Sequence, residues 1–271
     1  MTSNHAITCF QDAIDAHDEE EASDKDIANV FFDLANSPLI SYRFNAYGDD
    51  VIVVRQDIGA CGQHTGGIVW ETAYLLLNYL RSLRLSCRNF LEVGAGCGLV
   101  GLGVHRAKEI SISDQVILTE TKPVVRNLMQ NFKRNHCRAS NAKDDDVSLR
   151  VCQLDWTCFR QDCESANIQA HSIDTIVGTD VVFAIALVEP LLRTLRYLAH
   201  GESQIFLCLQ ERCKDSHHLL LNKAKDHGLN VEDISEQVTT IPNCEWGKDM
   251  ECCVLKLTVI PSKKKKKRKR T

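Results

Sequence analysis

The stretch Phe90-Leu91-Glu92-Val93-Gly94-Ala95-Gly96-Cys97-Gly98-Leu99-Val100-Gly101-Leu102 decides the fold. An apolar run stops at a glycine-rich turn, and apolar residues then resume at helical spacing. Glycines let the backbone take open φ values and let a ligand approach closely. The amides of the following helix face that ligand. The spacing predicts a strand, a turn and a helix, with a nucleotide-like cofactor at the carboxyl end of a parallel strand.

Outward from this loop, short apolar runs alternate with helical segments. Candidate strands are 89–93, 115–120, 148–154, 174–180 and 204–210, with two later ones near 229–241 and 252–260. Candidate helices lie near 99–108, 123–135, 187–199 and 215–227. The segments 105–114 and 137–147 are polar and read as loops. This alternation predicts an α/β, doubly wound, seven-stranded and mostly parallel sheet of Rossmann-like type, covered on both faces. Upstream, 39–44 and 51–56 read as a β-hairpin turning at Tyr47-Gly48-Asp49-Asp50. Trp70, Ala73, Tyr74, Leu77 and Leu80 then fall at helical spacing after Gly66-Gly67.

The 271 residues are 44% hydrophobic and 25% charged, the profile of a globular chain. No run reaches the ~18 apolar residues of a membrane-spanning helix. The first residues lack the basic-then-apolar pattern of a signal peptide. Cytosol or nucleus is therefore the expected location. The 13 cysteines contain no C-x-x-C pair. Cys208, Cys213, His217 and His218 do not match common zinc spacings, so no metal is expected. Of 32 Lys and Arg, eight form the unbroken run Lys263–Arg270, which leaves 24 against 36 Asp and Glu in the rest. Three regions follow: an acidic arm over 1–36, a folded domain over 37–261 and a basic tail over 262–271; both termini are expected disordered, with a part-helical arm over 11–26 as the alternative. The tail suits a nuclear address or weak contact with an anion such as RNA.

The glycines alone leave the cofactor open. Gly96-x-Gly98-x-x-Gly101 formally fits a dinucleotide fingerprint. Gly94-x-Gly96-x-Gly98, however, sits closer to the strand end and follows Glu92. An acid there suits an ammonium or sulfonium ligand and is a poor neighbour for a pyrophosphate. S-adenosylmethionine carries both cations. Glu120 closes the next strand, where a carboxylate can accept ribose hydroxyl hydrogen bonds from either cofactor.

With these residues the chain resembles the methyltransferase-like 21 group of class I, seven-β-strand methyltransferases, many of which methylate lysines on other proteins. The likeness runs from about Ser41 to Ile260. It is carried by VWETAYLLLNYL (69–80), FLEVGAGCGLVGL (90–102), VILTE (116–120), LDW (154–156) and GTDVVFAIALVEPLLRTL (178–195). It implies that Trp70 shields the cofactor's methionine end, that Gly94, Ala95, Gly96 and Gly98 form its cradle, and that Glu120 holds the ribose. Trp156 would edge the adenine and Thr179 would sit near the sulfonium. Asp180 and Phe183 would be the catalytic pair, holding and orienting the substrate amine. Cys97, Glu120 and Phe183 stand where Thr, Asp and Tyr are commoner in the group.

Asp180 has a second reading as a helix N-cap, and Trp70 and Trp156 have one as packed aromatics. The activity implied is S-adenosylmethionine-dependent protein-lysine N-methylation of a non-histone protein such as a chaperone, an AAA-type ATPase or an elongation factor. Two alternatives stand beside it: a class I methyltransferase acting on RNA or a small molecule, and a non-catalytic adaptor. Asn-Pro-Pro-Tyr, typical of methylation at planar nitrogens, is absent.

Overall fold

The structure is a computed structural model that describes residues 7–19, 27–44, 50–60, 65–136 and 147–261. The main sheet holds β4 (Ser86–Glu92), β5 (Ser111–Glu120), β6 (Ser148–Gln153), β7 (Ile173–Thr179), β8 (Ala199–Gln210), β9 (Leu229–Asp233) and β10 (Cys252–Val259). Its order is β6-β5-β4-β7-β8-β10-β9. The first five in that order are parallel, and β10 runs antiparallel to β8 and β9. The chain leaves β4 towards β5 and returns to β7 on the other side. This switch point is where open α/β sheets bind ligands.

Alternation along each strand splits the core into two layers. Phe90, Val116 and Leu118 pack on one face with α3 (Glu71–Ser82), α4 (Leu99–Arg106) and α5 (Lys122–His136). Leu91, Val93 and Ile117 pack on the other with α6 (Phe159–Ser165), α7 (Ile185–Leu198) and α8 (Lys214–Ala224). Both sheet faces are therefore apolar, which explains why the central strands read as continuous apolar runs.

Several boundaries differ from the sequence reading, among them the start of β8, at Ala199 rather than 204. β5 begins at Ser111, inside the expected loop 105–114, because Ser111 and Ile112 continue the ladder with Ser86 and Cys87. Its outer end is largely exposed, which keeps the sequence there polar. The run 229–241 holds a strand only to Asp233. The Asp233 carboxylate accepts the Ser235 amide at 2.9 Å and starts the short helix α9 (Ser235–Val238). The short α6 lay in no expected element. Most of the expected loop 137–147 and the basic tail lie outside the described residues.

The N-terminal arm requires a larger correction. Residues assigned to a solvated segment form β1 (Thr8–Cys9), α1 (Phe10–Glu19) and α2 (Ile27–Asn36). β1 pairs with β2 (Leu39–Arg43), which pairs antiparallel with β3 (Val51–Arg55) as the expected hairpin. Tyr47, Gly48 and Asp49 of the expected turn lie outside the described residues. Phe10, Ile27, Phe31 and Leu34 are all buried. Phe10 stacks on Tyr74 with ring centroids 4.3 Å apart, and Phe31 meets Trp246 at 4.7 Å. Acidic composition masked an amphipathic pattern whose apolar stripe is core. A boundary at residue 36 therefore cuts through one packed layer.

Side-chain amides join the small sheet to the glycine loop. Asn131 and Asn135, one turn apart on α5, act as a substitute strand along β3. Asn135 exchanges two hydrogen bonds with the Val53 backbone, each 2.9 Å. Asn131 does the same with Arg55, at 2.8 and 3.0 Å, and also donates to the Cys97 carbonyl at 3.0 Å. The open edge of β3 is thereby satisfied rather than left as a pairing template.

Candidate active site

A cavity of about 390 Å³ opens at the carboxyl ends of β4, β5, β6 and β7. Each strand end delivers one part of its wall: Glu92 from β4, Glu120 from β5, Trp156 just after β6, and Thr179 with Asp180 at β7. Gly94, Ala95 and Gly96 form the floor, and Trp70 and Phe183 stand at the sides. Ten of the eleven residues singled out from sequence thus line one cavity.

The exception is Gly98. It occupies the N-cap position of α4 with φ of 87°, and a Cβ there would lie 2.5 Å from Leu128 Cδ1. Its smallness serves the turn and the packing of α4 on α5, not the cavity. Gly94 and Gly96 also have positive φ, 62° and 54°. A Cβ at Gly94 would meet Val181 at 2.9 Å, and one at Gly96 would meet the Gly66 carbonyl at 3.3 Å. The loop is therefore pressed between the β7 exit and the Gly66-Gly67 segment. Sequence reading treated those two glycines only as a helix break.

The two acids differ in environment. Glu92 is buried, and its carboxylate accepts the Gly101 amide at 2.8 Å. Burial pushes its carboxyl up to about 8, with the Gly101 amide opposing and the nearby Glu120 adding to the rise. A cation placed beside it would stabilise the ionised form. Glu120 accepts the Gly96 amide on Oε2 at 2.9 Å and the Thr121 amide on Oε1 at 2.7 Å. The Thr121 hydroxyl also donates to Oε1 at 3.1 Å, so the carboxylate is fixed at the cavity wall.

Trp70 does not lie within the expected helix. It occupies the N-cap position of α3 in an extended conformation, and its indole donates to the Thr65 carbonyl at 3.2 Å. Trp156 is buried against the Gly94 backbone, where its ring would be 3.4 Å from an added Cβ. After β7, Val181 and Val182 anchor in the core, and Phe183 emerges 40% exposed at the cavity rim. The helix begins only at Ile185, with Ala184 as its N-cap, so the N-cap reading of Asp180 does not hold.

Asp180 itself sits in the left-handed region at φ of 50°, which Asp tolerates better than most residues. Its amide donates to the Cys208 carbonyl at 2.9 Å. Its carboxylate has partners that the sequence did not reveal. Oδ1 accepts the Gln210 amide at 2.8 Å, and Oδ2 accepts Arg212 Nη2 at 2.8 Å and Nε at 3.2 Å. Arg212 and Glu71 were missed entirely. The only sequence cue for Arg212 is its place just past the carboxyl end of a strand.

Outside the cavity, Glu189 and Arg193 form an exposed pair on α7. His200 pairs with Asp174 at 3.0 Å.

The cradle fits the methionine-bearing nucleoside suggested by the sequence. Floor glycines cannot carry a side chain, and the acids that end β4 and β5 both line the cavity. The lysine methyltransferase family profile matches residues 49–226. The Protein N-lysine methyltransferase METTL21A of Xenopus tropicalis is 28% identical over 171 residues, 62% of this chain and 71% of that protein. Its counterpart in Mus musculus is 28% identical over 190 residues, 69% of this chain and 78% of that protein. The EEF1A lysine methyltransferase 3 of Xenopus tropicalis is 26% identical over 194 residues, 70% and 73% of the two chains. The matched span takes in Trp70, both acidic strand ends, Asp180 and Arg212, and the chain belongs to the lysine methyltransferase family.

Proposed function

We propose that this methyltransferase uses S-adenosylmethionine to methylate a lysine side chain on a non-histone protein. The observation that supports it is the single cavity in which Glu92, Glu120, Asp180 and Phe183 face a common space. When bound, the cofactor supplies an electrophilic methyl group on a cationic sulfur. Everything else falls to the chain. Glu92 binds the cofactor's ammonium end and Glu120 its ribose hydroxyls. Trp156 borders the base, and Trp70 and Thr179 close the space around the reacting centre and exclude water.

The amine enters as an ammonium, and it must be aligned and lose its proton in the slot before it attacks. A free lysine has a pKa of about 10.4, so a dry slot favours the neutral form. Asp180 has used about three of four acceptor positions, and the remaining one accepts a hydrogen bond from the amine and orients its lone pair. Phe183 offers its ring face to the cation as it enters. Phe183 at the rim and the exposed Ile185 two residues on suit contact with a folded protein surface. A chaperone, an AAA-type ATPase or an elongation factor is the expected kind of acceptor.

Incubation with radiolabelled S-adenosylmethionine and a cell lysate tests this reading. Label should survive nuclease, vanish with protease, and be recovered as methyllysine after hydrolysis. Label lost to nuclease would instead support an RNA methyltransferase. No label, together with no affinity for adenosylhomocysteine, would overturn the proposal.

A further inference from the structure

Arg212 gathers three pieces of the site that are far apart in the chain. Its Nη2 lies 2.8 Å from Asp180 Oδ2 and 2.8 Å from Glu71 Oε1, and its Cζ lies 4.1 Å over the Trp70 ring. Glu71 and Trp70 belong to the start of α3, Asp180 to the exit of β7, and Arg212 to the exit of β8. The carboxylates of Asp180 and Glu71 are only 5% and 8% exposed, whereas Arg212 is 30% exposed. Asp180 and Trp70 line the cavity; Arg212 and Glu71 stand behind them.

Two nearly buried carboxylates this close would repel, and one would move or take a proton. A guanidinium between them prevents that, and its planar fork can contact both while stacking on an indole. The three charges sum to one negative charge. That is the charge a slot needs to attract a single ammonium without holding it as tightly as a pair of free acids would. The left-handed backbone at Asp180 adds to the requirement, because a strained residue keeps its geometry only when its surroundings fix it.

We propose that Arg212 is the positioning residue of the substrate slot: it fixes Asp180 against Trp70 and, with Glu71, sets the slot at one net negative charge matched to a lysine ammonium. The proposal rests on the reading of Asp180 as the group that meets the amine.

The test uses the full chain with R212Q, R212K and E71Q. Each is measured for adenosylhomocysteine affinity by calorimetry, for thermal midpoint, and for label transfer to lysate protein across a dilution series of the lysate. For R212Q, the maximal transfer rate should fall about 10- to 100-fold, the scale expected when a reacting group is misplaced. Its cofactor affinity should change by less than about threefold. R212K keeps the charge but loses the fork, and should recover only part of the rate. E71Q should raise the lysate concentration needed for half-maximal transfer while leaving the maximal rate nearly intact. If the wild type binds cofactor and labels protein while R212Q and R212K match it at every dilution, the proposal fails and the functional reading stands. If R212Q does not fold, R212K and E71Q decide the matter: wild-type behaviour in both overturns the proposal. A wild type that binds no adenosylhomocysteine and labels nothing overturns the functional reading and this proposal together.

Discussion

Glu92 and Glu120 hold opposite ends of the same glycine loop. Glu92 takes the Gly101 amide at 2.8 Å, beyond the turn, and Glu120 takes the Gly96 amide at 2.9 Å, within it. They end neighbouring parallel strands, so strand register alone brings them to one cavity. The loop shape and the ligand-binding acids are thus a single device, and changes to either acid should affect both loop and ligand.

Glu92 makes stability and affinity depend on pH. Its folded value of about 8 lies above the ordinary carboxylate range. Between that range and about 8, the folded chain holds a proton that the unfolded chain has released. Stability therefore falls as pH rises through this window and levels off above it. Glu92→Gln should raise stability at slightly alkaline pH by at least about 1 kcal/mol, a gap that closes in acid. Urea midpoints across the window measure it. Ligand binding should show the converse: the wild type releases a proton on binding adenosylhomocysteine below about pH 8 and binds more weakly in acid. Calorimetry in buffers of different ionisation enthalpy should find that proton in the wild type and not in the variant.

Glu120→Ala should weaken adenosylhomocysteine binding by about 10- to 100-fold, because charged acceptor contacts of roughly 1.5–3 kcal/mol are lost. It also leaves the Gly96 amide unpaired, so the thermal midpoint should drop even without ligand. An unchanged affinity would remove Glu120 from the cofactor site.

Asp180→Asn and Asp180→Ala should abolish label transfer while adenosylhomocysteine affinity stays close to wild type. Cofactor contact is assigned to the acids of β4 and β5, not to this one. Normal turnover in either variant would refute the assigned role. The Ala variant should be the less stable, because it leaves Arg212 paired to Glu71 alone.

Phe31→Ala should cost about 3–5 kcal/mol in a denaturant titration, the range for deleting a buried aromatic ring. A solvated arm would give no change. The expected loss follows from Phe31 packing against Trp246, Tyr74 and Phe10.

The site was legible from sequence to an unusual depth because its parts end strands. Glu92, Glu120 and Asp180 each follow a short apolar run, and parallel pairing brings such ends to one edge. Gly98 was misjudged for a related reason. A glycine run marks a tight turn but does not say which members face a ligand and which make room for a neighbouring helix. The N-terminal helices were hidden by composition, since the acidic residues of 11–26 outweigh the spaced apolar positions that enter the core.

The amino-acid order determined the strand–turn–helix of the glycine loop, the doubly wound sheet and the placing of acids at its carboxyl edge. These follow from side-chain period and local backbone freedom, which act over a few residues. Tertiary structure alone decided which cation rests on Asp180 and what covers Tyr74. Arg212 and Glu71 are 141 positions apart, and Phe10 reaches Tyr74 from the other end of an acidic stretch. Such partnerships depend on the complete packing of α3 against the sheet, and no local pattern encodes them.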